Sequence, residues 1–368
     1  MMADQPASPS GDGQRASLSA VARHRLFWPI LVLLGMLIGN LAFTPDFLSI
    51  QVRDGHLYGS LIDILRLGAP LILVGLGMTL VIATGGIDLS VGSVVAISGA
   101  MSCLLISKQE DMNSVTGVLT AILVGLLLAL ALGLWNGFLV AGLGIQPIVA
   151  TLILMVAGRG LAQLITDGQI ITIRSSPYQL IGAGYWLAVP FSILVALGVF
   201  GLASLLVRRS ALGLLIEAVG GNAEASRLAG VQSRRLIWLV YAFCATTAGV
   251  AGLMISSNVS SADGNSAGLF IELDAILAVV IGGTSLAGGR FSFTGTVIGA
   301  LLIQTLTTTI YTIGIPPETT LLFKALVVIL VCLLQSPAFR AKVLHRRRSS
   351  PPSAAPETQS TSEVEVSA

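Results

Sequence analysis

The chain has 368 residues, of which 54% are hydrophobic and 10% charged, with a mean hydropathy of +0.89 and a formal net charge of +2. Soluble domains usually carry about 25% charged residues, so this composition excludes an ordinary soluble globular protein. The near-zero net charge gives no sign of a nucleic acid partner, and none is expected.

Apolar runs separated by polar breaks predict ten membrane-spanning helices, because each run approaches the roughly 20 residues that cross a bilayer as a helix. The predicted spans are residues 27–43, 61–82, 89–107, 115–134, 147–166, 190–207, 236–257, 272–288, 294–313 and 320–336. We therefore predict an all-α polytopic membrane protein with a membrane domain at 26–336. A disordered N-terminal tail (1–25) precedes it, and a basic, then Ser/Pro-rich tail (337–368) follows it.

Basic residues set the predicted orientation, because cytoplasmic segments of membrane proteins carry an excess of Lys and Arg. With both termini in the cytoplasm, 14 of the 20 basic residues fall on inside segments and three on outside loops. The remaining three lie within spans. This distribution favours an even number of spans with both tails inside.

The second and third predicted spans meet at GGIDLSVG, residues 85–92, with almost no loop between them. Gly85 and Gly86 can supply unusual backbone angles, and Asp88 or Ser90 can cap the next helix. An unpaired aspartate at mid-bilayer costs about 2.5–3.5 kcal/mol, so we expect Asp88 to face the protein interior. Two compatible interpretations remain: a helix cap, or a group that lines a translocation pathway.

A similar octet, GGTSLAGG, occupies residues 282–289 at another predicted inside junction. The two octets match at Gly85/Gly282, Gly86/Gly283, Leu89/Leu286 and Gly92/Gly289. Transporter folds are often built from internal repeats around a central path. We therefore hypothesise an internal duplication, with both breaks beside the path and some helices discontinuous.

The longest inside loop, residues 208–235, differs in composition from the rest of the chain. We predict a short helix over 211–219 that Gly220 and Gly221 break. Asn222 is then the N-cap of a second helix, 223–229, which Gly230 ends. This element is either a docking surface for a soluble subunit or a solvated connector, and the residues alone leave both open.

Several charged residues lie inside predicted spans. Asp63 and Arg66, one turn apart, are expected to neutralise each other. Arg159 sits mid-span and needs an interior carboxylate partner, for which Asp88 and Asp274 are the candidates. No histidine lies within a span, so a proton relay is thinly supplied, which argues against ion-coupled transport.

Motifs for catalysis and for nucleotide or metal binding are missing from the sequence. The three lysines do not follow glycine, so no GxxxxGK[ST] nucleotide-binding motif can be written. GNSAG at 264–268 fits GxSxG but lies in an outside loop without a strand. The three histidines are scattered, and the three cysteines fall in apolar runs. The sequence therefore predicts neither an enzyme nor a metal or cofactor site in this chain.

Four stretches resemble the permease subunit of ribose-type bacterial ABC sugar importers: TLVIATGGIDLSVGS, WNGFLVAGLGIQPIVATLILMVAGRG, EAVGGNAEASRLAGV and LDAILAVVIGGTSLAGGRF. The likeness covers about residues 25–336, and GIDLSVG is a specific signature of that family. It implies a multi-pass protein of the bacterial inner membrane. The loop 211–230 falls where the family carries its coupling helix, which favours docking. The residues concerned are Glu217, Gly220, Asn222, Glu224, Ala225 and Gly230; Gly221 departs from the family, whose members usually have a bulkier residue there.

The resemblance also implies the partners. Two cytoplasmic ATPase subunits would hold ATP and Mg²⁺, a periplasmic protein would deliver the sugar, and a second permease, identical or paralogous, would complete the pathway. The predicted function is the permease subunit of an ATP-driven importer for a monosaccharide. The alternative is an ion-coupled secondary transporter or channel that works without an ATPase.

Overall fold

Over residues 26–314, 316 and 319–335, which the computed structural model describes, the chain forms thirteen α-helices and three short strand pairs. The helices are α1 (Phe27–Phe43), α2 (Ser60–Ala83), α3 (Val91–Ser107), α4 (Val115–Gly137), α5 (Pro147–Ile165), α6 (Ser176–Gly182), α7 (Phe191–Arg209), α8 (Leu212–Gly221), α9 (Ala223–Leu228), α10 (Ser233–Val259), α11 (Ile271–Ile281), α12 (Phe293–Ile313) and α13 (Thr320–Gln335). A π-helical segment, Phe138–Gly142, extends α4. The predicted tails, 1–25 and 337–368, lie outside the described residues.

The strands pair antiparallel at the helix ends. They are β1 (Gln51–Arg53) with β2 (His56–Tyr58), β3 (Ile171–Thr172) with β6 (Ser261–Ala262), and β4 (Tyr185–Trp186) with β5 (Val189–Pro190). The rest of the described chain is predominantly helical, which confirms the predicted all-α character.

Every predicted span contains a helix, and six of the described helices are long and apolar enough to cross a membrane. These six are α2, α4 with its π-helical extension, α5, α7, α10 and α12. The helices α1 and α3 are apolar but have only 17 residues each. The chain is therefore multi-pass, and the total of ten spans stays a prediction.

The predicted span 272–288 is wrong in its extent. Helix α11 ends at Ile281 after 11 residues, about 16 Å of helix against a hydrocarbon core of about 30 Å. Gly283 adopts a left-handed φ of +86° and turns the chain away. The pattern of apolar residues continued past the point where the backbone leaves the helix.

Helices α2 and α10 form the centre of the fold and pack against each other. In their most apolar stretches, 83% of α2 and 67% of α10 is buried, against 22–28% of α4, α5 and α7. Glycine permits the close approach: a Cβ on Gly77 of α2 would lie 2.7 Å from the Cα of Cys244 in α10. The outer helices present Leu, Ile and Val outward, as a lipid-facing surface requires.

Two hydrogen bonds join segments that the predicted orientation places on the same side of the membrane. At one end, the Gly289 N–H donates to Ala83 O at 2.9 Å, joining two predicted inside segments. At the other end, the Ser176 N–H donates to Asn113 Oδ1 at 3.0 Å, joining two predicted outside loops. We call these the inner and outer ends; which one faces the cytoplasm stays a prediction.

Candidate translocation and coupling site

Helix α2 ends at the inner end in a Schellman motif. Gly85 has a φ of +82°, its N–H donates to Ile82 O at 2.9 Å, and the Gly86 N–H donates to Val81 O at 3.0 Å. The prediction that Gly85 supplies an unusual backbone angle is confirmed. Gly86 serves packing instead, because a Cβ there would lie 2.7 Å from Tyr241 Oη.

Asp88 is fully buried and fixes the turn that leads into α3. Its Oδ1 accepts from the Ser90 N–H at 2.9 Å and from Ser90 Oγ at 2.6 Å, an Asx turn. Ser90 holds the N-cap position without capping through its side chain, and its Oγ accepts from Asn136 Nδ2 at 2.8 Å. Asp88 thus faces the interior, as predicted, and it organises the helix start from two residues upstream. Its place on a pathway stays a proposal.

The Asp88 turn yields a first expected result. Three buried oxygens, Asp88 Oδ2, Asn136 Oδ1 and Tyr241 Oη, have no partner within the described part of the chain. Asp88→Ala leaves the Ser90 donors unpaired at about 1–3 kcal/mol for each buried group, whereas Asp88→Asn keeps the acceptor. We expect thermal unfolding in detergent to show Ala well below wild type and Asn close to it. Equal damage by both variants would show that the negative charge itself is required.

The second break repeats the geometry of the first. Gly283 has a φ of +86° and its N–H donates to Val280 O at 2.9 Å, while the Thr284 N–H donates to Val279 O at 3.2 Å. These bonds pair Gly85 with Gly283, so the predicted equivalences Gly85/Gly282 and Gly86/Gly283 are wrong by one residue. Gly282 is instead a contact residue, since a Cβ there would overlap the backbone of Gly295 in α12.

The inner loop folds as two short helices. Asn222 Oδ1 accepts from the Ala225 N–H at 2.9 Å, so Asn222 caps α9 as predicted. Gly230, with a φ of +88°, follows the end of α9, also as predicted. The predicted break at Gly220 and Gly221 is wrong, because α8 includes both glycines and ends at Gly221.

Gly220 is required by a backbone contact between three segments. A Cβ on Gly220 would overlap Ala83 O of α2 and lie 2.6 Å from Gly289 N. A Cβ on Gly288 would lie 2.7 Å from Gly220 O and 3.1 Å from Gly85 N. We call these five residues the glycine junction: Ala83, Gly85, Gly220, Gly288 and Gly289. It joins the inner loop to both helix breaks, a convergence that the sequence pattern did not predict.

The rest of the inner loop presents an exposed surface. Glu224 pairs with Arg227, Oε2 to Nε at 3.0 Å, and this hydrogen bond lowers the pKa of Glu224 below its usual value. Glu217 lines a cleft of about 330 Å³ with Arg208 and Phe291, among others. Two large apolar side chains, Leu214 and Leu228, are 74% and 75% exposed.

The charges within the spans are paired differently from the prediction. Asp63 and Arg66 form the predicted pair, at 3.2 Å. Arg159 meets neither predicted carboxylate: its Nη1 donates to Ala267 O at 2.6 Å. Asp274 accepts from Lys324 Nζ at 2.8 Å. The sequence missed these partners because residues 263–270 return into the helix bundle and bring backbone carbonyls to Arg159.

The chain matches a family model described as branched-chain amino acid transport system / permease component over residues 60–332. It is 47% identical to the galactofuranose transporter permease of Escherichia coli (strain K12), covering 86% of this chain and 93% of that protein. It is 42% identical to a fructose import permease of Bifidobacterium longum (85% and 88% covered). It is 35% identical to a ribose import permease of Haemophilus influenzae (84% and 92% covered). No solved structure matches the chain.

Proposed function

Since the chain belongs to the family of branched-chain amino acid transport system permease components, and its relatives are sugar import permeases, we propose that it is the permease subunit of an ABC importer for a monosaccharide. The 47% identity favours galactofuranose, and a ribose-type sugar is the next candidate. The observation that carries the proposal is the glycine junction. A chain without a nucleotide-binding motif joins an exposed inner loop to two helix breaks through direct backbone contact.

The proposed partners rest on two features: the sequence has no nucleotide-binding motif, and the inner loop exposes apolar side chains. ATP and Mg²⁺ would be held by two ATPase subunits that dock on α8 and α9, where Leu214 and Leu228 are open. A periplasmic sugar-binding protein would meet the outer end, and a second permease would complete the pathway.

The mechanism proposed is alternating access in the inner membrane, with both termini cytoplasmic. Closure of the ATPase pair moves α8, and Gly220 transmits that movement to Ala83 at the end of α2 and to Gly288–Gly289 after α11. Both helix ends turn at left-handed glycines, Gly85 and Gly283. The breaks then re-pack together and open the path for the sugar.

The alternative is ion-coupled transport without an ATPase, which the fully buried carboxylate of Asp88 would serve as an ion-binding group. Proteoliposomes that contain the permease, with and without the proposed ATPase and binding-protein partners, separate the two hypotheses. We expect uptake of labelled galactofuranose to require ATP on the side of the membrane where the ATPase is bound. Uptake should persist when ionophores collapse the proton and sodium gradients. Uptake by the permease alone, driven by a gradient, would establish the alternative.

A second expected result concerns the coupling loop. Asn222→Ala removes the cap of α9, worth about 1 kcal/mol, from a helix of only six residues, and Glu224→Ala removes its ion pair. We expect ATPase activity to persist while uptake falls, because an α9 with an unfolded first turn no longer transmits the movement of the ATPase subunits to the permease. Asn222→Asp, which keeps the capping oxygen, is the matched control and should transport normally. Unaltered coupling in the Asn222→Ala, Glu224→Ala double variant would exclude α9 from the coupling route.

A further inference from the structure

The segment 263–270 re-enters the helix bundle from the outer end without regular structure. It follows β6, and α11, which completes the descent, supplies only about 16 Å of helix. The segment is pressed against its neighbours: a Cβ on Gly264 would lie 2.6 Å from Ala162 O of α5, and one on Gly268 would lie 2.9 Å from Gly92 O of α3. Irregular backbone at membrane depth is tolerated only where protein covers it or where it lines a water-filled cavity.

One side of this segment is covered by α3 and α5, and the other side is open. Asn265 and Ser266 are exposed, and Asn265 Oδ1 accepts from Gln163 Nε2 of α5 at 3.1 Å. Val156 is 67% exposed and lies one turn from Arg159 on α5. We call these five residues the re-entrant wall: Val156, Arg159, Gln163, Asn265 and Ser266.

The position of Arg159 argues against lipid contact at the re-entrant wall. It lies six residues before the end of α5, about 9 Å in from the outer end. Only its Nη1 donates to a described group, Ala267 O and, at 3.5 Å, Gly264 O. The other guanidinium nitrogens are neither bonded within the described chain nor enclosed by it. A cation with open donors at that depth belongs on a hydrated surface.

A buried carboxylate stands behind this surface. Glu272, at the start of α11, is 8% exposed, and its Oε2 is enclosed without a hydrogen-bond partner in the described chain. Asp263 is a second carboxylate beside the wall, and its Oδ1 accepts from the Asn265 N–H at 2.8 Å. The re-entrant wall therefore offers hydrogen-bond donors and acceptors with little net charge, which suits a neutral solute better than an ion.

We propose that the re-entrant wall lines the translocation pathway and binds the hydroxyl groups of a passing sugar. The open guanidinium nitrogens of Arg159 donate to hydroxyl oxygens, and Asn265 and Ser266 both donate and accept. The inference rests on the proposed function for the identity of the solute. The alternative occupants of this surface are lipid and the dry face of a second copy of the chain.

Cysteine accessibility tests the position of the wall independently of transport. Val156→Cys lies nine residues from the outer end of α5; the control, Leu197→Cys, lies six residues from the outer end of α7 and is 59% exposed. A charged, membrane-impermeant methanethiosulfonate is added to both faces of membranes with the assembled transporter, and wild-type labelling is subtracted. We expect Val156→Cys to react about 100-fold faster, because only the control requires the charged reagent to enter hydrocarbon.

Each other outcome overturns the proposal. Equal rates would place the wall in lipid. Absent labelling, with efficient oxidative cross-linking between two Val156→Cys copies, would make it a dry contact between permeases. The labelling and cross-linking measurements need neither ATP nor sugar. They therefore test the wall even if ATP-driven uptake is not observed and the proposed function is wrong.

Sugar binding by the wall is tested through uptake. Arg159→Gln is expected to raise the apparent KM for galactofuranose uptake about tenfold or more, because hydrogen bonds to a charged group are lost, with the ATPase rate preserved. Arg66→Gln, which removes an outer-end arginine paired with Asp63 and Asn258, is the control and should change KM less. An unchanged KM in Arg159→Gln, with Val156→Cys labelled as expected, would show a hydrated wall that does not bind the sugar.

Discussion

Gly220→Ala is expected to reduce sugar uptake to background while the proposed partner ATPase continues to hydrolyse ATP. The added methyl group would overlap Ala83 O and crowd Gly289 N, so α8 must move away from both helix breaks. Alanine favours a helix over glycine by about 1 kcal/mol, and α8 itself is therefore not weakened. The lost function would come from separation of the glycine junction alone.

Gly221→Ala is a closely matched control for this experiment. It lies one residue further along α8, and a Cβ there would meet nothing within 4 Å. The measurements are the amount of inserted permease, the ATPase rate and uptake, all in one vesicle preparation. We expect Gly221→Ala to match wild type in all three. Normal uptake by Gly220→Ala would show that the junction does not carry the coupling.

The sequence predicted side-chain contacts correctly where they depend on residues close together in the chain. The Asp63–Arg66 pair and the Asn222 cap depend on residues three positions apart, and such short-range patterns survive folding unchanged. Glycine is different. Gly220 and Gly221 resemble a helix breaker in sequence. Glycine is required at position 220, however, by a contact with Ala83, more than 130 positions away in the chain. Only tertiary structure reveals that role.

The two octets illustrate a second limit. Their Schellman motifs superpose Gly85 on Gly283, yet the next helices begin after Ser90 and Ser292. Four additional residues therefore separate the second break from its following helix. An alignment by identity, which pairs Gly85 with Gly282, reproduces neither the equivalence of the two turns nor this four-residue difference. The shared turn geometry supports the hypothesis of an internal duplication on grounds that residue identities alone did not provide.

The re-entrant segment was missed for a physical reason. Its residues, SADGNSAG at 261–268, are polar and glycine-rich and so resemble an exposed loop. The true signal was Arg159, a cation in the middle of a span that needed a partner. We predicted a carboxylate because charges usually pair with charges, whereas a guanidinium has five donors, and Arg159 Nη1 bonds a backbone carbonyl instead.

Removal of Asp274 alone is expected to destabilise the fold more than removal of Asp274 and Lys324 together. Their side chains are 23% and 18% exposed and meet at 2.8 Å, joining α11 to α13. Loss of one member of a fully buried pair costs about 3–5 kcal/mol, since the other charge is left uncompensated, whereas replacement of both by apolar groups is often neutral. This pair is partly exposed, so we expect a smaller effect in the same direction. We expect Asp274→Leu and Lys324→Leu each to lower the unfolding temperature in detergent, and the double variant to recover most of it.

Asp63→Leu is the control at the outer end. Its pair with Arg66 is 51% exposed on the aspartate side, and exposed pairs are worth about 0.2–1 kcal/mol, so its effect should be small. A double variant as unstable as the singles would mean that the pair contributes net attraction beyond charge compensation. Recovery would show instead that Asp274 and Lys324 specify how α13 docks on α11 without adding to stability.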